Sequence, residues 1–179
     1  MQIEDSVALV TGGNRGIGEA LVRGLLARGA RRVWVGSRDP AAAAHLAAEA
    51  PGRAVPVALD VTKPDTFSAL AQTCGDVSLL INNAGAFHNQ TLLGAPSLAA
   101  ARDEMEVSYF GPLGLARAFA PVLARNGGGA IAHVLSSAGL VALPVMGGYS
   151  PAKFAGRAAC ACLRAELASQ KTSDRKSVV

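Results

Sequence analysis

At 179 residues the chain fits one domain with a useful core, and its formal charge of +4 comes from scattered residues rather than a Lys/Arg run beside aromatics, which argues against a nucleic-acid surface. No apolar run is expected to approach the ~20 residues of a membrane span, and no charged segment precedes an apolar stretch at the N-terminus. The three cysteines, Cys74, Cys160 and Cys162, lack metal-ligand spacing, so free thiols in a reducing cytoplasm are expected and no metal site is.

The first element is an apolar run, Val7-Ala8-Leu9-Val10, which reads as a buried strand. Thr11-Gly12-Gly13-Asn14-Arg15-Gly16-Ile17-Gly18 follows, and then Ile17, Ala20, Leu21, Leu25 and Leu26 recur at helical steps. A glycine-rich turn therefore joins a strand to a helix N-terminus, where free N–H groups and the helix dipole suit a pyrophosphate. Gly12 is expected to allow the turn, Gly16 the approach of the phosphates, and Gly18 the close packing of helix on strand.

Arg32 to Gly36 reads as a second strand ending at Ser37-Arg38. A dinucleotide fold meets the adenosine ribose about 20 residues beyond its glycine loop. A carboxylate there suits the 2′-hydroxyl of NAD, whereas Ser37 and Arg38, with Arg15, suit a 2′-phosphate. NADP(H) is thus favoured over NAD(H), although Asp39 stands next door.

Pro40 to Ala50 is expected to be a helix, Ala54 to Leu59 a strand ending at Asp60-Val61, and Pro64 to Cys74 a helix. Val77 to Ile81 is expected to be a fourth strand, ending in Asn82-Asn83-Ala84-Gly85. A long helix is expected over Leu98 to Ala124, bent near Gly111-Pro112. A fifth strand, Ala130 to Leu135, leads to Ser136-Ser137 and an apolar loop. The last helix is expected to run from Tyr149 to about Ser169. Strands alternating with helices predict an α/β fold, a Rossmann-like doubly wound parallel sheet, and such sheets bind ligands at the carboxyl ends of their strands.

Tyr149 and Lys153 stand at i and i+4, on one face of a helix. A phenol with pKa near ~10 is a poor acid or base at neutral pH, and a nearby ammonium favours its ionised form. The pair suits proton exchange with a carbonyl or alcohol oxygen, and Ser136 can donate a hydrogen bond to that oxygen.

The glycine loop, Asp60-Val61, Asn82-Asn83-Ala84-Gly85, Ser136, and Tyr149 with Lys153 together resemble the short-chain dehydrogenase/reductase family, over nearly the whole chain to about Ala168. The resemblance implies hydride transfer between a nicotinamide and a carbonyl/alcohol pair. It makes Tyr149 the acid/base, Lys153 the group that lowers its pKa and binds the nicotinamide ribose, and Ser136 the group that orients the substrate oxygen. It places Asp60 at the adenine, and Asn83, Ala84 and Gly85 along the adenosine. It further implies a homo-oligomer packed through the long helix and the Tyr149 helix. The apolar stretch Leu140 to Met146 favours a hydrophobic small-molecule substrate.

Two departures stand out. Ser108 occupies a place where the family usually has an asparagine that supports a water in the proton relay; slower turnover is expected, with cofactor binding kept. His133, where asparagine is common, is expected to be a satisfied strand residue. Beyond residue 170 the sequence decays into a charged tail, 171–179, that continues no family pattern. The single domain is therefore placed at 1–170, without the family's last strands and substrate lid. Asp174 to Val179 back-translates into a common sequencing-adapter read, so the gene is expected to continue past roughly Ser173. The competing expectations are a nucleotide-binding protein without catalysis and an inactive truncated fragment.

Overall fold

The computed structural model describes residues 2–169; the tail 171–179 lies outside them. Five parallel strands form one sheet, β1 (Val7–Thr11), β2 (Arg32–Ser37), β3 (Ala54–Ala58), β4 (Leu79–Asn82) and β5 (Ala130–His133), in the order β3-β2-β1-β4-β5. β1 pairs with β2 on one side and β4 on the other, with Leu9 opposite Trp34 and Leu80. The winding therefore reverses between β1 and β4, which opens a crevice at their carboxyl ends.

The central strands β1 and β4 are buried along their whole length and largely apolar because both faces are covered. Val7 and Leu9 of β1 face one cluster, with Phe67, Leu70, Leu115, Phe119 and Ile131. Ala8 and Val10, one residue out of step, face the other, with Val22, Leu25, Val33 and Leu46. The helices α1 (Gly16–Ala27) and α2 (Ala44–Glu49) contribute to the second layer. The first layer takes residues from α3 (Phe67–Thr73), α5 (Gly111–Arg125) and, in Leu163 and Leu167, α6 (Tyr149–Ser169).

Several boundaries differ from the expected ones. The segment from Pro40 opens as a 3₁₀ turn, Pro40–Ala43, before α2, with the Asp39 side chain accepting from the Ala41 N–H. Pro64–Thr66 likewise precedes α3. Proline in the first turn fixes φ but supplies no N–H, which suits a tight opening. β5 ends at His133, two residues before the expected Leu135.

The long helix is α4 (Ala99–Met105) running through a π turn, Glu106–Phe110, into α5. Across Ala99–Arg125 this helix is long and apolar enough, by length and composition, to cross a membrane, which corrects the expectation that no stretch would qualify. Leu115, Ala116, Phe119, Val122 and Leu123 pack into the sheet's core, the pattern of an amphipathic core helix.

Candidate active site

Gly12 and Gly16 adopt left-handed backbone angles, φ +62° and +56°, which non-glycine residues rarely adopt. Nothing lies within 4 Å of where a Cβ on Gly16 would stand. The start of α1 is thus open, and a Cβ would fill space where its N–H groups can meet a phosphate. Gly18 has the opposite surroundings: a Cβ there would overlap the Gly12 carbonyl and stand 2.6 Å from Asn83 Nδ2. Arg15 and Ile17 are exposed beside the loop, Ile17 at 67%, and Asn14 is half-buried.

The β1 and β4 ends are bound together. Thr11 Oγ1 accepts the N–H groups of both Asn83 and Ala84 at 2.9 Å. Asn83 Nδ2 returns hydrogen bonds to the carbonyls of Thr11 (2.9 Å) and Gly12 (3.3 Å). The Asn83 side chain therefore fixes the glycine loop. Ala84 is half-buried and Gly85 exposed at the rim.

At the end of β2, Ser37 is buried and donates to the Asp39 carbonyl at 2.7 Å, while Arg38 is exposed. Beyond β3, Asp60 accepts from the N–H (2.9 Å) and hydroxyl (2.8 Å) of Thr62. Burial opposes ionisation of Asp60, but those bonds and the positive charges of Arg38 and Lys63 outweigh it, so its carboxyl sits below the ordinary range. Val61 is buried, and its carbonyl lies where a side chain on Gly111 would collide.

On the other side of β1, Ser136 accepts from the Ala138 N–H at 3.1 Å, capping the 3₁₀ turn Ser137–Gly139. Tyr149 opens α6, half-buried, its ring 5.0 Å from that of Phe87. One turn on, Lys153 is 4% exposed; its Nζ donates to the Val134 carbonyl at 3.1 Å and lies 5.5 Å from the centre of the Tyr149 ring. Burial pushes the Lys153 ammonium below its ordinary range.

Ser108 lies in the π turn, fully buried, with its hydroxyl bonded to no described residue. Pro112, four residues on, has no N–H to return to the Ser108 carbonyl. The His133 ring hydrogen-bonds to the Ser108 main chain. Burial and the charge of Lys153 push His133 down to about 4, against that bond. An unfolded chain would protonate His133 near pH 6.5, while the folded chain does so only near pH 4. Stability from this group is therefore full above pH 6.5 and falls as the pH drops towards 4, by up to about 3 kcal/mol. Tm measured across that range should fall more steeply in the wild type than in His133→Gln; superimposable profiles would contradict this.

The marked residues thus gather at the carboxyl ends of the strands, in two groups on either side of the β1–β4 crevice. The family described as short chain dehydrogenase has a model that matches residues 6–173. The chain belongs to the short-chain dehydrogenase family. A short-chain dehydrogenase from Burkholderia cenocepacia J2315, solved in complex with NADP, superposes with a TM-score of 0.88 at 46% identity, covering 94% of this chain and 69% of that one. Dehydrogenase/reductase SDR family member 7B of Mus musculus is 32% identical over 176 residues, 92% of this chain and 54% of its own length. The 1-deoxy-11-beta-hydroxypentalenate dehydrogenase of Streptomyces avermitilis is 35% identical over 181 residues, 93% of this chain and 65% of its own. The chain spans about half the length of the SDR family member 7B relatives it matches.

Three residues beside this short-chain dehydrogenase site carry no role in the sequence reading. Thr11 was visible as a hydroxyl between a strand and its glycine turn, but its cross-strand partners were not. Phe87 and Glu104 reach the site only through tertiary packing, and nothing in their local sequence marks them.

Proposed function

We propose that the protein is an NADP(H)-dependent oxidoreductase that interconverts a carbonyl and a secondary alcohol on a hydrophobic small molecule. The observation that carries this is the buried Lys153, anchored to the Val134 carbonyl and set under the Tyr149 ring at the sheet's carboxyl end. An ammonium held there, one helical turn from the Tyr149 phenol, is placed to favour that phenol's ionised form and so its proton exchange with a substrate oxygen.

The open glycine at the start of α1 fits a pyrophosphate, with Gly12, Asn14, Gly16, Ile17 and Gly18 forming its cradle. Asp60, Val61, Asn83, Ala84 and Gly85 would line the adenosine, and Lys153 would meet the nicotinamide ribose. A bound nicotinamide supplies the hydride in reduction and accepts it in oxidation. In reduction the Tyr149 hydroxyl donates a proton to the carbonyl oxygen, while the Ser136 hydroxyl holds that oxygen by a hydrogen bond. In oxidation Tyr149 takes the alcohol proton. Ser108, in place of asparagine, leaves the relay behind Lys153 to an altered arrangement. Leu140, Val141, Leu143 and Val145 are all at least 48% exposed, an apolar wall suited to a hydrophobic substrate. Exposed Phe110 and Phe154, on the long helix and α6, support self-association through those helices.

The exposed guanidiniums of Arg15 and Arg38 support NADP(H) over NAD(H), as does the NADP bound to the Burkholderia relative. Arg38→Asp should weaken NADPH binding about ten- to a hundredfold, the loss of one charge-assisted bond, with NADH binding unchanged or better. Titration of each variant with both nucleotides measures this. The proposal itself is tested by following NADPH consumption with a panel of aliphatic and aromatic ketones and aldehydes; turnover is expected, and none with any carbonyl compound would contradict it.

A further inference from the structure

Glu104, on α4, is only 3% exposed. A carboxylate buried to that extent is costly unless its oxygens are engaged, and an apolar residue would fill the same place without that cost. Its two oxygens point to two different segments. Oε1 accepts the His88 N–H at 2.8 Å. Oε2 lies against Gly148, where any side chain would overlap it. Gly148 is the residue before Tyr149, and His88 follows Phe87, whose ring lies 5.0 Å from that of Tyr149 and inclined at 60°. The same junction is closed on its flanks: the Gly147 N–H donates to the Gln90 carbonyl at 2.9 Å, and His88 Nε2 pairs with Asp103 Oδ2 at 2.7 Å.

We infer that Glu104 is a positioning residue for Tyr149. It ties the segment 87–90 to α4 by one oxygen and seats Gly148, at the entry to α6, against the other, so that the backbone entering Tyr149 and the ring packed against it are held by one carboxylate. The Tyr149 ring is thereby fixed in its orientation over Lys153. This inference rests on the reading of Tyr149 as the acid/base. A misplacement of about 1 Å at a reacting group can cost on the order of a hundredfold in rate, which is the leverage such a brace has.

The test compares Glu104→Leu, Glu104→Gln and Phe87→Leu with the wild type by steady-state kinetics. A second readout is the ¹⁹F spectrum of protein labelled with 3-fluorotyrosine. The chain has two tyrosines, Tyr109 and Tyr149, so Tyr149→Phe assigns the resonances. Glu104→Leu should lower kcat about tenfold or more with KM for NADPH within about twofold, and should shift or broaden the Tyr149 resonance. Glu104→Gln, which keeps an acceptor for the His88 N–H, should restore kcat to within about threefold. Phe87→Leu leaves Glu104 in place and removes the ring contact, so it should also lower kcat and move the resonance. If Glu104→Leu does not fold, Glu104→Asp, whose shorter side chain cannot reach both the His88 N–H and Gly148, decides the matter: it should lower kcat and move the resonance, and wild-type values of both overturn the inference. An unmoved Tyr149 resonance with wild-type kcat in the folded variants overturns the inference. A wild type without turnover would contradict the proposed function instead. The resonance would then decide alone: moved in Glu104→Leu and restored in Glu104→Gln, it supports the brace, and unmoved, it overturns it.

Discussion

Tyr149→Phe is expected to lower kcat by about 10²- to 10⁴-fold, the usual contribution of a positioned proton donor, while the NADPH dissociation constant stays within about twofold. The two expectations separate because the substitution removes one oxygen and nothing else. The ring that packs on Phe87 remains, so the start of α6 keeps its neighbour. Lys153 remains anchored to the Val134 carbonyl, and the nicotinamide-ribose contact proposed for it does not use the phenol. What is lost is the proton that reaches the substrate oxygen. Ser136 cannot replace it, because an alcohol hydroxyl is far less acidic than a phenol. Single-turnover kinetics with NADPH and equilibrium binding measure the two quantities. A variant that turns over at the wild-type rate would place the acid/base on another residue.

Gly18→Ala should be the most damaging single-methyl change in the nucleotide half. The added carbon would overlap the Gly12 carbonyl and stand 2.6 Å from Asn83 Nδ2. Helix α1 must then move away from the loop, or Asn83 must give up its bonds to the carbonyls of Thr11 and Gly12. Either response loosens the β1–β4 junction at the pyrophosphate cradle. Overpacking of this kind costs about 1–3 kcal/mol, or roughly 2–12 °C in Tm at about 2–4 °C per kcal/mol for a chain of this size, and NADPH affinity should fall with it. Gly16→Ala is the control. It meets nothing within 4 Å, so its cost is the left-handed backbone alone, about 1–2 kcal/mol. Nucleotide binding should still suffer in Gly16→Ala, because the methyl stands where the phosphate would approach. Differential scanning calorimetry with and without NADPH distinguishes the two changes. Equal binding by Gly16→Ala and wild type would contradict the placement of the phosphate.

The parts of this architecture that local patterns determine were legible in the sequence. The five strands and the glycine turn follow from short apolar runs punctuated by glycine, and the parallel order follows from the helices between them. Tyr149 and Lys153 were legible because a helix places i and i+4 together. Features set by distant partners were not legible. The π turn at Glu106–Phe110, directly before the bend expected near Gly111-Pro112, was one of these. Pro112 withholds an N–H from the Ser108 carbonyl, and Gly111 passes where any side chain would strike the Val61 carbonyl. Asn83 reads as a ligand-lining residue, yet its amide ties down the loop on the neighbouring strand. Glu104 reads as one more polar residue in a charged helical turn, Arg102 to Glu106; only the meeting of α4, the 87–90 segment and Gly148 makes it a buried carboxylate. The membrane-length composition of Ala99–Arg125 was hidden by its interruptions, the charged cluster Arg102 to Glu106, Arg117, and the prolines Pro112 and Pro121.

Thermal unfolding of the purified protein with graded NADPH and NADH tests the central claim most directly, because a ligand that binds only the native state stabilises it by about 2.7 kcal/mol at a hundredfold excess over its dissociation constant. A single cooperative transition raised by NADPH, and raised less by NADH at the same concentration, is the predicted result. No shift with either nucleotide would contradict a dinucleotide site at the carboxyl ends of β1 and β4, and a larger shift with NADH would contradict the role given to Arg15 and Arg38.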